Sequence, residues 1–232
     1  MNRRFARQIA IPEIGEEGQL RLGEASVLIV GCGALGSMAA MQLAGAGVGH
    51  IRIADFDTVD ISNLHRQLFF TDAEAGMPKA TVLARRMREL NPEVRVEVCE
   101  GMATRHNIDD LMDGCVMALD ATDNAESMLL VDAASQTVGI PCTLAGIREF
   151  SGQVTTCIPG GVRYADIFPG AASAAGSILP CEAMGVAGPA AAVAASIQAA
   201  EAIKYITKSG SLLSGRLLLF DLLEMRFSMV SL

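Results

Sequence analysis

Apolar residues along the chain fall into short continuous runs and longer spaced series, with glycine, proline and acidic residues between them. The first run, residues 26–30, has the length and composition of a buried strand. Residues 34–47 follow as a helix and 51–54 as a second strand, a βαβ unit whose parallel strands require such a crossover. The next helix is predicted to start near Pro78, with proline in its first turn, and to stop at Asn91-Pro92. Residues 94–98 and 116–119 read as strands and 124–138 as a helix, with further strands at 141–145 and 153–158 toward the far end of the sheet. Residues 159–180 are rich in Gly, Ala, Ser and Pro without periodicity and read as a long mobile crossover loop, a place where lids are found. An Ala-rich apolar stretch over 183–206 reads as a closely packed helix, and 216–220 with 225–230 as a final hairpin. The pattern predicts an α/β fold: a Rossmann-like doubly wound sheet, mostly parallel, with antiparallel strands toward the C-terminal end. No repeat or linker interrupts it, so residues 1–232 are expected to form one domain, with 1–25 as a polar N-terminal arm.

Composition narrows the partners. A net charge of −8 over 232 residues, without a basic cluster, excludes a general nucleic-acid binder. The basic N-terminus lacks the apolar run of a signal peptide. Pro189, Gln198, Glu201 and Lys204 interrupt the apolar stretch, which favours a buried helix over a membrane span and a cytoplasmic location. The six cysteines, Cys32, Cys99, Cys115, Cys142, Cys157 and Cys181, are scattered with no C-x-x-C pair. That spacing indicates reduced thiols rather than a zinc ribbon or a disulfide framework.

Candidate chemistry begins at Gly31-Cys32-Gly33-Ala34-Leu35-Gly36, directly after the first predicted strand and opening a helix. Glycines there permit a tight turn and close approach of backbone to phosphate, and the helix N-terminus favours an anion. Asp55, at the end of the second strand, is placed to accept ribose hydroxyls. Alone this signals a nucleotide, and a nicotinamide-dependent dehydrogenase would fit. Residues 55–67 change the ranking, because acids, an amide and an arginine crowd the loop just beyond that strand. Such a loop suits attack at phosphorus, which needs cations for the phosphates and an acid for magnesium. Arg66 and Lys79 supply the cations and Asp123 the carboxylate, all at predicted carboxyl ends of strands. Taken singly, Arg66 and Lys79 read equally as solvated surface charges and Asp123 as a helix N-cap; taken jointly, they collect at one sheet edge.

With these residues in place, the chain resembles the bacterial ThiF/MoeB/HesA family, relatives of the E1 ubiquitin-activating enzymes. The resemblance spans nearly the whole length. It rests on Arg4-Phe5-Ala6-Arg7-Gln8, Gly15-Glu16-Glu17-Gly18-Gln19, the glycine loop, Asp55-Phe56-Asp57 and Ser62-Asn63-Leu64-His65-Arg66-Gln67. It continues through Gly76-Met77-Pro78-Lys79, Thr122-Asp123-Asn124, Gly152-Gln153-Val154, Gly185-Val186-Ala187-Gly188-Pro189 and residues 198–204. It implies MgATP bound at Gly31, Gly33 and Gly36, with Asp55 on the ribose and Asp57 in the same nucleotide-binding set. Arg66 and Lys79 would hold phosphates, Asn63 would help position them and Asp123 would hold magnesium. Arg7 would reach into the partner's site of a homodimer. The implied reaction is adenylation of the terminal glycine carboxylate of a small ubiquitin-like sulfur-carrier protein ending in Gly-Gly. A separate protein would then donate sulfur to the acyl-adenylate.

Two departures qualify the resemblance. Many relatives hold a structural zinc with two C-x-x-C pairs. Here Arg163 and Asp166 stand at the first pair's positions and the second pair is missing, so no zinc is expected. Cys181 falls where sulfur-carrier activators carry a loop cysteine, and reads either as a catalytic thiol or as a small apolar residue. Arg148 and Gln153 are placed to touch an incoming peptide tail, His65 reads as structural, and the remaining cysteines read as core or packing residues. The competing functions are adenylation of another carboxylate or of a tRNA base, and a non-catalytic nucleotide-binding scaffold.

Overall fold

In the computed structural model, residues 3–170 and 185–232 are described. Eight strands form one sheet: β1 Ser26–Val30, β2 His50–Asp55, β3 Arg95–Glu100, β4 Met117–Asp120, β5 Cys142–Arg148, β6 Ser151–Cys157, β7 Arg216–Asp221 and β8 Arg226–Ser231. Their spatial order is β3-β2-β1-β4-β5-β6-β7-β8. The first five are parallel; β6, β7 and β8 run antiparallel to their neighbours. This is the mixed, doubly wound sheet the apolar pattern predicts.

The helices are α1 Ala6–Ile9, α2 Gly15–Glu24, α3 Ala34–Ala46, α4 Lys79–Leu90, α5 Ile108–Met112, α6 Ala125–Val138, α7 Tyr164–Ile167 and α8 Gly188–Thr207. Alternation along β1 divides the core: Val27 and Ile29 face one layer, Leu28 and Val30 the other. Residues of α2, α3, α4 and α8 close the first face, and residues of α5, α6 and α7 close the second. Because α3 and α8 are largely Ala and Gly on their packed sides, they approach each other and the sheet closely.

Several expectations are refined. The arm carries α1 and α2, and the alternating Gly and charge of Gly15–Glu24 hides a helix that buries only Gly18 and Leu22. The five-residue α5 is too short to show a period in the sequence. Pro78 stands at the N-cap of α4, one place before the first turn. Within the segment read as a structureless loop, residues 164–167 form α7, whose start is held by the Asp166 carboxylate accepting the Arg163 N–H at 3.0 Å. The rest of that segment, from residue 171, lies outside the described residues, as does Cys181. No helix among the described residues is long and apolar enough to cross a membrane.

Candidate nucleotide-binding site

Parallel register brings the carboxyl ends of β2, β1 and β4 side by side: Val30 lies opposite Ala54 on one flank and Asp120 on the other. The chain then leaves β1 through a turn only glycine can make. Gly31 adopts φ +93°, and a Cβ on Gly36 would stand 1.8 Å from the Gly31 carbonyl oxygen. The turn opens α3 at its N-cap, Gly33.

Asp55, the last residue of β2, fastens this turn. One carboxylate oxygen accepts the Cys32 N–H at 2.5 Å and the other accepts the Asp57 N–H at 2.6 Å. Burial pushes the Asp55 carboxyl above its usual range, against those two N–H donors and the nearby Lys79. The expected ribose acceptor therefore has a visible first duty in holding the loop.

Lys79 is not a solvated surface charge. It is 4% exposed, and its ammonium meets the Asp57 carboxylate at 2.9 Å, while its N–H donates to the Asp57 carbonyl. Burying a lysine requires such a partner. Arg66 differs: its guanidinium donates to Asn63 Oδ1 at 2.7 Å and approaches His65 Nε2 at 3.3 Å, and it forms no ion pair among the described residues. The loop carrying it is built by the Asp60 cap, whose carboxylate accepts the Ser62 N–H and hydroxyl. That loop rests on the start of α8, where a Cβ on Gly188 would lie 3.0 Å from the His65 carbonyl oxygen. Gln67 received no role from the sequence. It is buried beside the glycine turn, 3.6 Å from a Cβ built on Gly33, and its Oε1 has no partner. Only its place inside the 62–67 motif could have signalled it.

Beyond β4, Asp123 is exposed and makes no hydrogen bond or ion pair among the described residues. The N-cap of α6 is the next residue, Asn124, whose side chain accepts the Ser127 N–H. Asp120 is the structural acid here, and the sequence reading passed over it. Fully buried, it accepts the Thr122 N–H and hydroxyl and the Ser127 hydroxyl. Desolvation lifts its carboxyl to about 6 in spite of these bonds.

This lift has a thermodynamic consequence. A carboxyl raised on folding binds more protons in the folded state, so its contribution is present below pH 4 and lost as pH rises through about 6. Asp120→Asn keeps acceptors for Thr122 and a donor for Ser127 but cannot ionise. Denaturant titrations at pH 4 to 7 should show the variant gaining on the parent by about 3 kcal/mol at most across that window. Parallel curves would mean that Asp120 does not titrate there.

Arg7 sits apart from this cluster. Its neighbour Gln8 hydrogen-bonds the Ala46 carbonyl at the far end of α3, a 13-residue helix, about 20 Å long, from the glycine turn. At the other flank, Arg148 is exposed and Gln153 half-buried along a groove of about 420 Å³ that Gly146, Gly152 and Phe220 also line. Where the resemblance would place a C-x-x-C pair, Arg163 pairs with the buried Asp132 and Asp166 caps α7.

The chain is 38% identical over 227 residues to the SAMP-activating enzyme E1 of Haloferax volcanii, covering 98% of this chain and 84% of that protein. It is 39% identical over 230 residues to the sulfur carrier protein adenylyltransferase of Thermus thermophilus, with 97% and 84% covered. A probable adenylyltransferase/sulfurtransferase MoeZ of Mycobacterium tuberculosis is 38% identical, with 98% of this chain and 59% of the relative covered. Among solved structures, E. coli MccB with a MccA ligand superposes on the whole chain and 72% of its own, with TM-score 0.86 at 22% identity, a likeness of fold. The model of the ThiF family matches residues 5–232, and the chain belongs to that family.

Proposed function

We propose that this chain uses MgATP to adenylate the C-terminal glycine carboxylate of a ubiquitin-like sulfur-carrier protein, acting as one domain over residues 1–232. The observation that supports the reading is a glycine turn where the carboxyl ends of β2, β1 and β4 lie side by side, with, among the described residues, an arginine in the loop after β2 that has no ion-pair partner and an exposed, unbonded carboxylate just after β4. The names of the Haloferax and Thermus relatives support the choice of substrate.

The site fits its ligands. At Gly33 the glycine turn leaves the helix N-terminus open, with nothing nearer a built Cβ than Gln67 Nε2 at 3.6 Å, and the buried Gln67 Oε1 there lacks a partner among the described residues. Asp123, unengaged and exposed, suits magnesium, which would neutralise phosphate charge. Arg66 would hold phosphate, with Asn63 fixing its guanidinium, and Lys79, buried and paired to Asp57, would be the second cation of the site. Asp55 keeps the turn in place and offers its remaining lone pairs to ribose. A carboxylate nucleophile needs no base, so positioning and charge neutralisation at the α-phosphorus are the chain's main work.

The position of Arg7, beyond the far end of α3, suits action in a partner's site, and a homodimer is part of this reading. So are Cys181 as the thiol in sulfur transfer, a separate sulfur donor and a cytoplasmic setting without nucleic acid or membrane. The chain has no C-x-x-C pair, so a zinc of that paired type is not part of it.

The test is magnesium-dependent ATP–pyrophosphate exchange with candidate small proteins ending in Gly-Gly. Exchange that appears with one carrier only would support the reading and identify the substrate. ATP binding without exchange on any carrier would sink it in favour of another carboxylate or a silent scaffold.

A further inference from the structure

We infer that Asp132, Cys142 and Cys157 form a buried binding site for a thiophilic divalent cation, for which Zn²⁺ is the apt probe. Cys142 and Cys157 stand directly opposite each other in the antiparallel β5–β6 pair, so their side chains leave the sheet on the same face. Helix α6 packs over that face and presents Asp132. The two sulfurs and a carboxylate oxygen lie within 4.8 Å of one another. Tetrahedral zinc, with bonds near 2.3 Å to sulfur and 2.0 Å to oxygen, requires its ligands to stand roughly 3.5–3.8 Å apart. A contraction of about 1 Å therefore closes the site.

A second observation points to a ligand. Asp132 is fully buried, its Oδ1 has no well-aligned hydrogen-bond partner, and inside the cluster the carboxylate interacts with the Cys157 thiol, itself a candidate ligand. Its Oδ2 is already held, accepting the Tyr164 N–H at 3.2 Å and facing the Arg163 guanidinium at 3.4 Å. One oxygen anchored by outer groups and one left open is the usual arrangement of a metal-ligating carboxylate. The charges also balance: two thiolates and a carboxylate meet one divalent cation and the Arg163 guanidinium. Three protein donors leave one tetrahedral position to fill, and the buried Ser135 hydroxyl lies within hydrogen-bond reach of Cys142.

Without metal, the hydrogen bond with Cys157 and burial hold the Cys142 thiol well above its ordinary range. Binding is thus an exchange in which two S–H bonds break, two zinc–sulfur bonds form and two protons leave to solvent, so affinity rises with pH. An occupied site would tie β5, β6 and α6 together beneath Arg163 and Tyr164. It also revises the expectation of a zinc-free protein, which weighed only paired C-x-x-C ligands.

The experiment uses the full, untagged chain refolded with Zn²⁺ or Co²⁺ and freed of excess metal. Expected are about one equivalent of Zn²⁺ per chain, a thiolate-to-cobalt charge-transfer band in the near ultraviolet and about two protons released per ion bound. Cys142→Ser and Cys157→Ser should each lose the metal, and Cys181→Ser should keep it. If the serine variants do not fold, the parent protein decides: no cobalt band and less than about 0.2 equivalents of zinc would overturn the site. Zinc retained in both folded serine variants would overturn it equally.

Discussion

Asp123→Ala is expected to cut carrier-dependent ATP–pyrophosphate exchange by about a thousandfold or more, the scale of losing an electrostatic group aimed at developing charge. Its stability should change by less than about 0.5 kcal/mol, as for an exposed residue outside any structural bond. The contrast with its neighbours makes this sharp. Asn124 caps α6 and Asp120 binds Thr122 and Ser127, so removing either would damage the fold as well as the site. Asp123 stands between them with no such duty. Its carboxylate is therefore free for a cation, and its loss should leave an intact protein that cannot neutralise the phosphates. Exchange within tenfold of the parent, in a variant with an unchanged unfolding curve, would remove Asp123 from the metal-binding role.

How far the sequence reached depended on which residues solve a local problem. Strands β1, β4 and β7 were legible as short apolar runs, the others as alternating apolar or β-branched residues closed by turn residues, and the glycine turn because a Cβ at Gly36 would collide with Gly31. Helix α2 was not, since Gly15 and Gly18 dilute its period and it buries only one large side chain. The acids at the sheet edge were legible as a group and less so individually. Asp55 reads as a ribose acceptor but also ties the Cys32 and Asp57 amides, and Lys79, read as a phosphate cation or singly as a surface charge, is buried against Asp57. Nothing in spacing distinguishes these roles; they depend on which atoms the parallel register brings within hydrogen-bond reach. Asp120 and Gln67 were missed for the same reason, because burial gives them their importance and burial at a strand end is a tertiary fact. Cys142 and Cys157 are fifteen positions apart and meet only through hairpin register, beyond any spacing rule for metal ligands.

The second large effect belongs to the glycine turn. Gly36→Ala should lower stability by about 3 kcal/mol, the upper range for forcing an atom into a packed site, and should weaken ATP binding by about a hundredfold. The added Cβ would fall 1.8 Å from the Gly31 carbonyl oxygen and 2.8 Å from its carbon, both backbone atoms that no rotamer change can move aside. Relief requires α3 to withdraw from the end of β1, carrying the Gly33 cap and the Cys32 amide away from Asp55. Gly33→Ala provides the control. Its φ of −72° is ordinary, its ψ of −149° lies just past the edge of the extended region, and its Cβ would meet only the end of the Gln67 side chain at 3.6 Å. That variant should lose only about 1 kcal/mol, from backbone strain without a clash, so a larger loss of ATP binding in it would report on backbone approach to phosphate rather than on the turn. Thermal unfolding and nucleotide titration of the pair separate the two effects. If Gly36→Ala matched Gly33→Ala in stability and still bound ATP like the parent, close helix–strand packing would not be what this glycine provides.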